Sequence, residues 1–123
     1  MNLTARIKEY QSLLEAGKNF ELIDKFYADD IVQIENNGSP VTGKATLIEI
    51  EKNNIEGVYS FNQEIINIAA DENAGIVMGE MLVKFHSKTK GNKIIHEAFI
   101  QKWKDAKIYY QRFYYGGIEN DEN

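Results

Sequence analysis

The hydrophobic period of this chain changes once, near Gly57, and that change constrains the fold more than any other feature. Before this point apolar residues recur every three or four positions, as they do on one face of an amphipathic helix. After it, apolar and polar residues alternate, as they do in strands with one buried face. Helices followed by long strands predict an α+β fold, with three N-terminal helices on one face of a curved antiparallel sheet.

Two helices are predicted in the first 28 residues. The first covers about residues 3–16 and ends at Gly17, because glycine tolerates the left-handed conformation that follows many helices. The second begins at Asn19, whose side chain can cap the helix N-terminus, and continues to about Ala28. Its predicted buried residues are Phe20, Ile23 and Phe26 or Tyr27.

A strand and a third helix are predicted next. Residues 31–36 alternate and are rich in β-branched side chains, which favours a strand. Asn, Gly and Ser at 36–39 favour a turn. Thr42 is expected to cap a helix over roughly 44–53, whose inward-facing residues are Leu47 and Ile50.

The second half of the chain predicts four strands separated by short turns rich in Asp, Asn and Gly. A chain of 123 residues has the size of a single domain, which we place at residues 1–116. Residues 117–123 are expected to form a polar, frayed tail. The predicted strands are 58–69, 74–86, 93–104 and 107–115.

Composition excludes several classes of function. The net charge of −5, without a basic cluster among the aromatic residues, argues against a nucleic-acid partner. The absence of cysteine excludes disulfides and thiol chemistry, and the spacing of His86 and His96 does not match a metal motif. We therefore predict no metal and no cofactor. No segment resembles a membrane span or a signal peptide, so we expect a soluble cytoplasmic protein without a membrane partner.

A family resemblance lies between the second and third predicted helices. Phe-Tyr-Ala-Asp-Asp at 26–30, an alternating strand, Gly-Ser-Pro at 38–40 and Thr-Gly at 42–43 resemble the SnoaL-like branch of the nuclear-transport-factor-2-like superfamily. Trp-Lys-Asp-Ala-Lys-Ile at 103–108 and Gln-Arg-Phe-Tyr-Tyr at 111–115 resemble the last hairpin and strand of the same family.

This resemblance extends over about residues 3–116 and implies a cone-shaped domain that encloses a pocket for a small apolar or amphipathic molecule. It also implies a homodimer that pairs through the outer face of the sheet. The alternative is that the outer aromatic residues pack against a neighbouring element of the same chain. The outward positions on the last strand are Ile108, Tyr110, Arg112 and Tyr114.

Ketosteroid isomerase belongs to this superfamily and gives a specific comparison. It uses a carboxylate base at the end of the first strand, a tyrosine of the first helix as oxyanion donor, and a protonated aspartic acid on the penultimate strand. By position Glu35 matches the base and Tyr10 matches the tyrosine. The third position falls near Ala98 or Phe99, neither of which donates a hydrogen bond from its side chain, and a protonated Glu97 is the nearby substitute.

The residues leave each of these roles open. Glu35 shares the mixed face of its strand with Ile31 and Gln33, so a solvated carboxylate is the alternative to a pocket base. Tyr10 lies on the apolar stripe of the first helix, where a core tyrosine is equally consistent. The last strand, 108–115, has no Asp or Glu, which argues against the mechanism of SnoaL-type cyclases, whose acid lies there.

Strand alternation predicts further ligand contacts. The last two strands each place aromatic and amide side chains on one face, which suits an amphipathic ligand because buried amides need partners. A core with wet polar ends is the alternative. The predicted contacts are Glu97, Phe99, Gln101 and Trp103, then Tyr109, Gln111, Phe113 and Tyr115, with Phe26 and Ile50 from the helices.

The sequence therefore predicts a small-molecule-binding protein with a mostly apolar, aromatic-lined pocket and leaves catalysis open. Two alternatives remain. One is a proton-transfer isomerase or cyclase that uses Glu35 and Tyr10, and the other is a dimeric interaction module without turnover.

Overall fold

The computed structural model describes residues 2–121 and contains three helices packed against a curved, unclosed sheet. The helices are α1 (Leu3–Glu15), α2 (Asn19–Phe26) and α3 (Lys44–Glu56). The strands are β1 (Tyr27–Glu35), β2 (Val41–Thr42), β3 (Val58–Asp71), β4 (Ile76–Ser87), β5 (Gly91–Lys104), β6 (Lys107–Tyr115) and β7 (Glu119–Asn120).

The predicted α+β fold is confirmed, but the sheet is mixed. Its strand order is β2-β1-β6-β5-β4-β3, and β7 pairs with β5. Every neighbouring pair is antiparallel except β1 and β6, which run parallel. The parallel pairing is possible because β2, α3 and β3–β5 separate these two strands in the chain, which leaves a connection long enough for a crossover.

The helix ends follow the prediction at α1 and differ from it at α2 and α3. Asn2 caps α1, since its side chain accepts a hydrogen bond from the Ala5 backbone N at 3.1 Å. Gly17 follows this helix with a φ of +72°, as predicted. The predicted caps at Asn19 and Thr42 are wrong: neither α2 nor α3 has a side-chain cap hydrogen bond. Asn19 lies inside α2, and Thr42 is in the strand β2.

The core lies between the helices and the inner face of the sheet. Phe26 is fully buried and its ring meets those of Tyr10 and Trp103 edge-on, at centroid distances of 5.8 and 5.6 Å. Phe20, predicted to be buried, is 41% exposed, whereas Leu22 is buried in its place. The apolar face of α2 is therefore rotated from the predicted one.

A bulge at Tyr109 changes the alternation of β6. Lys102 pairs with Tyr110 and Trp103 pairs with Ile108, so Tyr109 is an extra residue without a partner in this register. Ile108 is therefore fully buried, which makes its predicted outward position wrong. Tyr109 is 41% exposed instead of facing inward with Gln111. The homodimer contact through the outer face stays a prediction.

A second irregularity accompanies the bend of the sheet. The register of β3 on β4 shifts between Ile65 and Asn67, beside Gly79. A Cβ at Gly79 would lie 2.4 Å from the Asn67 carbonyl oxygen and 2.7 Å from the Phe99 ring. Glycine is therefore the residue that permits this close approach of strand and ring.

The polar tail is partly ordered on the sheet. Lys93 pairs with Asn120 and Ile94 pairs with Glu119. The strand β7 therefore pairs with the beginning of β5, next to the part of β5 that pairs with β6. These residues are not frayed as predicted, while the part of that prediction at 122–123 lies outside the described residues. Among the described helices, none is long and apolar enough to cross a membrane.

Candidate functional site

An inner cavity of about 170 Å³ lies between the three helices and the inner face of the sheet. It adjoins an outer vestibule of about 470 Å³, which is bounded by α3, β3, β4, β5 and the ends of β1 and β6. The residues that line both spaces are Asn19, Glu35, Ile50, Glu51, Asn54, Gln63 and Glu97.

The lining of the inner cavity is more polar than the predicted apolar, aromatic-lined pocket. Seven of its sixteen residues are Asn, Gln or Glu, and its aromatic residues are Tyr10, Tyr27 and Phe113. Apolar walls come from all three helices and from β4. These walls are Leu14, Leu22, Ile23, Leu47, Ile50 and Met81.

Glu35 and Tyr10 both line this inner cavity. The mixed face of β1 turns inward, because Ile31 is fully buried and Gln33 contacts the buried Gln111. Glu35 follows on the same face, where it is exposed to solvent at the boundary with the vestibule and only part of its side chain is covered. Glu35 therefore borders the cavity and is also in contact with water, so each of the two predicted alternatives describes part of its environment.

A hydrogen-bonded chain of amides lies beneath the cavity. Trp103 Nε1 donates to Gln101 Oε1 at 3.1 Å, and Gln101 Nε2 donates to Gln111 Oε1 at 3.4 Å. Gln111 Nε2 then donates to Tyr27 Oη at 2.7 Å and to Gln33 Oε1 at 2.6 Å. These partners account for two glutamines that are fully buried, since a buried amide without partners would be strongly unfavourable.

This chain reaches both groups that were matched to catalytic roles. At one end the Gln101 side chain hydrogen-bonds to the Tyr10 hydroxyl. At the other end Gln33 Nε2 lies 3.5 Å from Glu35 Oε1, and the Tyr115 hydroxyl also hydrogen-bonds to that carboxylate. The buried amides thus hold the tyrosine and the glutamate in one connected arrangement.

Burial makes the two tyrosine hydroxyls of the cavity weaker acids than usual. It raises the pKa of Tyr10 to about 12, against the opposing effect of the hydrogen bond from Gln101. Burial also raises the pKa of Tyr27. At neutral pH the Tyr10 hydroxyl therefore carries a proton that it can donate to an oxygen atom in the cavity.

Both carboxyl groups at the cavity have raised pKa values, and the charge of Glu35 contributes to the shift at Glu97. Burial, together with the negative charge of Glu35, raises the pKa of Glu97 to about 7. Burial also raises the pKa of Glu35, against hydrogen bonds from Tyr115 and Gln33 that lower it. Near neutral pH Glu97 is thus poised to exist in both protonation states, which is a property of acid–base groups at functional sites.

The other predicted contacts divide between the lining and the interior. Ile50, Glu97 and Phe113 line the inner cavity, and Tyr115 lines the vestibule. Tyr109 instead borders a separate surface depression, because of the bulge in β6. The predicted contacts buried outside the cavity lining are Phe26, Phe99, Gln101, Trp103 and Gln111.

Sequence reasoning missed the polar side of α3. Leu47, Ile50, Glu51 and Asn54 all line the cavity, with the 3–4-residue spacing of one helix face. A search for apolar periodicity finds the first two and passes over the others, since they are polar. Their shared spacing is the signal that could have found them. Within residues 2–121, no group of three His, Asp or Glu side chains is placed to hold a metal ion.

Comparison with known proteins gives a fold and no sequence family. The sequence matches no protein-family model, and no curated protein matches it. A candidate SnoaL-like polyketide cyclase from Mesorhizobium loti is similar in structure, with a TM-score of 0.74 and 23% identity over 94% of this chain and 100% of that one.

Two further solved structures share the fold. An LEH-like epoxide hydrolase of M. tuberculosis has a TM-score of 0.72 and 18% identity over 90% of this chain and 80% of its own. A nuclear-transport-factor-2-like protein of unknown function from Exiguobacterium sp. 255-15 has a TM-score of 0.74 and 18% identity over 96% of this chain and 99% of its own. At these identities the likeness confirms the fold that the sequence resemblance predicted.

Proposed function

We propose that this protein binds a small organic molecule in the inner cavity and its vestibule. The observation that carries the proposal is one cavity, open to solvent at its vestibule, lined by apolar walls and by three titratable groups with raised pKa values, namely Tyr10, Glu35 and Glu97. Such a combination is typical of ligand sites. Two structural relatives carry names of enzymes that act on small molecules, a cyclase and an epoxide hydrolase, which supports the proposal by analogy of fold.

A methyl NMR titration tests this binding. With ¹³C-methyl methionine labelling, addition of 2-phenylethanol is expected to shift the signal of Met81, which lines the inner cavity. Met78 is the internal control, since it is 54% exposed on the opposite side of the same strand and borders another depression. Saturating shifts at Met81 with an unchanged Met78 are the expected result.

A pair of matched variants locates the binding. Ile50→Trp is expected to weaken the response of Met81 at least about tenfold, because the larger ring would occupy space between cavity and vestibule. Ile66→Trp is the control, since Ile66 is 48% exposed and outside the lining of both spaces. If no small probe shifts Met81, or if Ile50→Trp leaves the response intact, the cavity is not the binding site.

Proton transfer is a second candidate, favoured by the placement of Glu35 and Tyr10 in one lining. In this reaction the Glu35 carboxylate removes a proton from carbon next to a ligand carbonyl, and the electron pair of that bond forms the enolate. The Tyr10 hydroxyl donates a hydrogen bond to the enolate oxygen. If the ligand has a carbon–carbon double bond next to this carbon, the enolate is conjugated, and return of the proton from Glu35 to the far end of the conjugated system gives an isomer of the substrate, whereas return to the same carbon regenerates it.

Glu97 gives this second candidate a further donor. The residues at the third position of the isomerase comparison, Ala98 and Phe99, lack a donor side chain. Glu97 lines the same cavity and is partly protonated near neutral pH, because its pKa is raised to about 7. In its protonated form it can donate to a ligand oxygen, as the protonated carboxylic acids of some oxyanion sites do.

A further inference from the structure

Among residues 2–121, no basic side chain pairs with the carboxylates of the cavity. Glu35, Glu51 and Glu97 line both the inner cavity and the vestibule, and the lining of the two spaces contains no Lys, Arg or His. The ion pairs among the described residues involve none of these three glutamates. The cavity therefore carries an excess of negative charge that the described part of the chain does not balance with an ion pair.

Hydrogen bonds compensate this charge unequally. Glu35 accepts from Tyr115 and Gln33, and Glu51 Oε1 accepts from Asn19 Nδ2 at 3.1 Å. Within residues 2–121, no side chain donates a hydrogen bond to Glu97, whose environment is dominated by burial and by the repulsion of Glu35. A half-buried carboxylate without a partner loses part of its hydration, which is unfavourable, and a bound positive charge would relieve this.

The cation that best matches this cavity is an organic one, not a metal ion. No three acidic or histidine side chains of the described chain are arranged to hold a metal ion. The walls beside the carboxylates are apolar, with Leu47 from α3 and Phe113 from β6 in the same lining. A ligand with one cationic group and a hydrocarbon body would match both features, whereas an anion would meet repulsion from three carboxylates.

We propose that the ligand of this cavity is a protonated amine whose ammonium group binds between Glu97 and Glu35 while its hydrocarbon part packs against Leu47 and Phe113. The inference rests on the proposed function, since it names the ligand class of the same cavity. An ammonium group has three donors, which suffices for both carboxylates, and hydrogen bonds between charged groups are roughly twice as strong as neutral ones.

Three probes of similar size and different charge test the inference. They are 2-phenylethylamine, 2-phenylethanol and 3-phenylpropionate, each titrated at pH 7.5 while the Met81 methyl signal is followed. An alkylamine, like the lysine side chain, stays protonated at this pH. The amine is expected to bind at least about tenfold more tightly than the alcohol, and the carboxylate more weakly than either.

Variants assign the preference to the carboxylates. Glu97→Gln and Glu35→Gln are each expected to reduce the advantage of the amine over the alcohol at least about threefold, because each removes one charge from the cavity. Binding of the neutral alcohol reports in the same variants that the cavity is intact. Glu64→Gln is the matched control, since Glu64 is exposed and outside the lining, and it should leave the preference unchanged.

The outcomes separate this inference from the proposed function. If the alcohol binds as tightly as the amine, the amine inference is overturned and small-molecule binding stands. If the amine keeps its full advantage in the double variant of Glu35→Gln and Glu97→Gln, the inference is also overturned. If none of the three probes shifts Met81, both proposals fail.

Discussion

Glu35→Gln is expected to lower the rate of proton transfer in the cavity by about 10²- to 10⁴-fold, the usual contribution of a general base. Glutamine keeps the size and the hydrogen-bonding oxygen of the side chain and loses the basic carboxylate. The measurement is the exchange of the α-protons of 4-phenylbutan-2-one for deuterium in D₂O, followed by ¹H NMR with the wild-type protein and the variant.

The exchange experiment has a matched control in the same chain. Glu64→Gln makes the same chemical change at an exposed strand position outside the cavity lining and should leave the exchange rate unchanged. Equal exchange rates for Glu35→Gln and the wild type would contradict the assignment of Glu35 as the base. Absence of catalysed exchange by the wild type would contradict the proton-transfer candidate and leave ligand binding as the function.

Phe26→Ala is expected to lower the free energy of unfolding by about 3–5 kcal/mol, the range for removal of a buried phenylalanine. Phe26 is fully buried, and its ring contacts those of Tyr10 and Trp103 and lies under the guanidinium of Arg6, 5.1 Å from the ring centroid. The sequence placed this residue among the ligand contacts, whereas the structure places it in the core. Urea denaturation followed by circular dichroism measures the change.

The same helix provides the control for this substitution. Phe20→Ala removes the same ring from a position that is 41% exposed, so the free energy of unfolding should change by less than about 1 kcal/mol. Similar losses for the two variants would contradict the placement of Phe26 in the core. So would a Phe26→Ala protein that keeps its stability and no longer binds 2-phenylethanol.

Element types followed from the sequence because periodicity reports which side of an element is buried. The change from a period of 3.6 to a period of 2 near Gly57 separates α3 from the long strands as the structure has them. The helix caps of α2 and α3 and the bulge in β6 could not be predicted from the sequence. Asn19 could cap a helix by its residue type, but its side chain instead bonds to Glu51 and Gln63, which lie far along the chain. Nothing local to Tyr109 marks it as the extra residue in β6.

The candidate site could be predicted only in part, because local patterns do not report contacts between residues far apart in the chain. Position along the chain was enough to select Glu35 and Tyr10, but the direction of Glu35 depended on which face of β1 is buried. That face is fixed by the contact of Gln33 with Gln111, 78 residues away, and no local pattern reports it. The polar residues Glu51 and Asn54 were missed because burial of a polar side chain depends on the partners and the space around it.

Carboxyl NMR titration of the glutamate-labelled protein tests most directly whether interacting acidic groups share this cavity. Glu97 is expected to titrate near a pKa of about 7, above its ordinary value of 4.5, and Glu35 above 4.5 as well. Since the folded protein holds the Glu97 proton more tightly than the unfolded chain, the stabilising contribution of this proton is complete below pH 4.5 and is lost as the pH rises through about 7.

The decisive comparison is the same titration in the Glu35→Gln variant. Loss of the neighbouring charge should lower the pKa of Glu97, while burial should keep it above 4.5. A Glu97 that titrates at 4.5 in the wild type, or whose pKa does not change when Glu35 is replaced, would contradict the account of a shared acidic cavity.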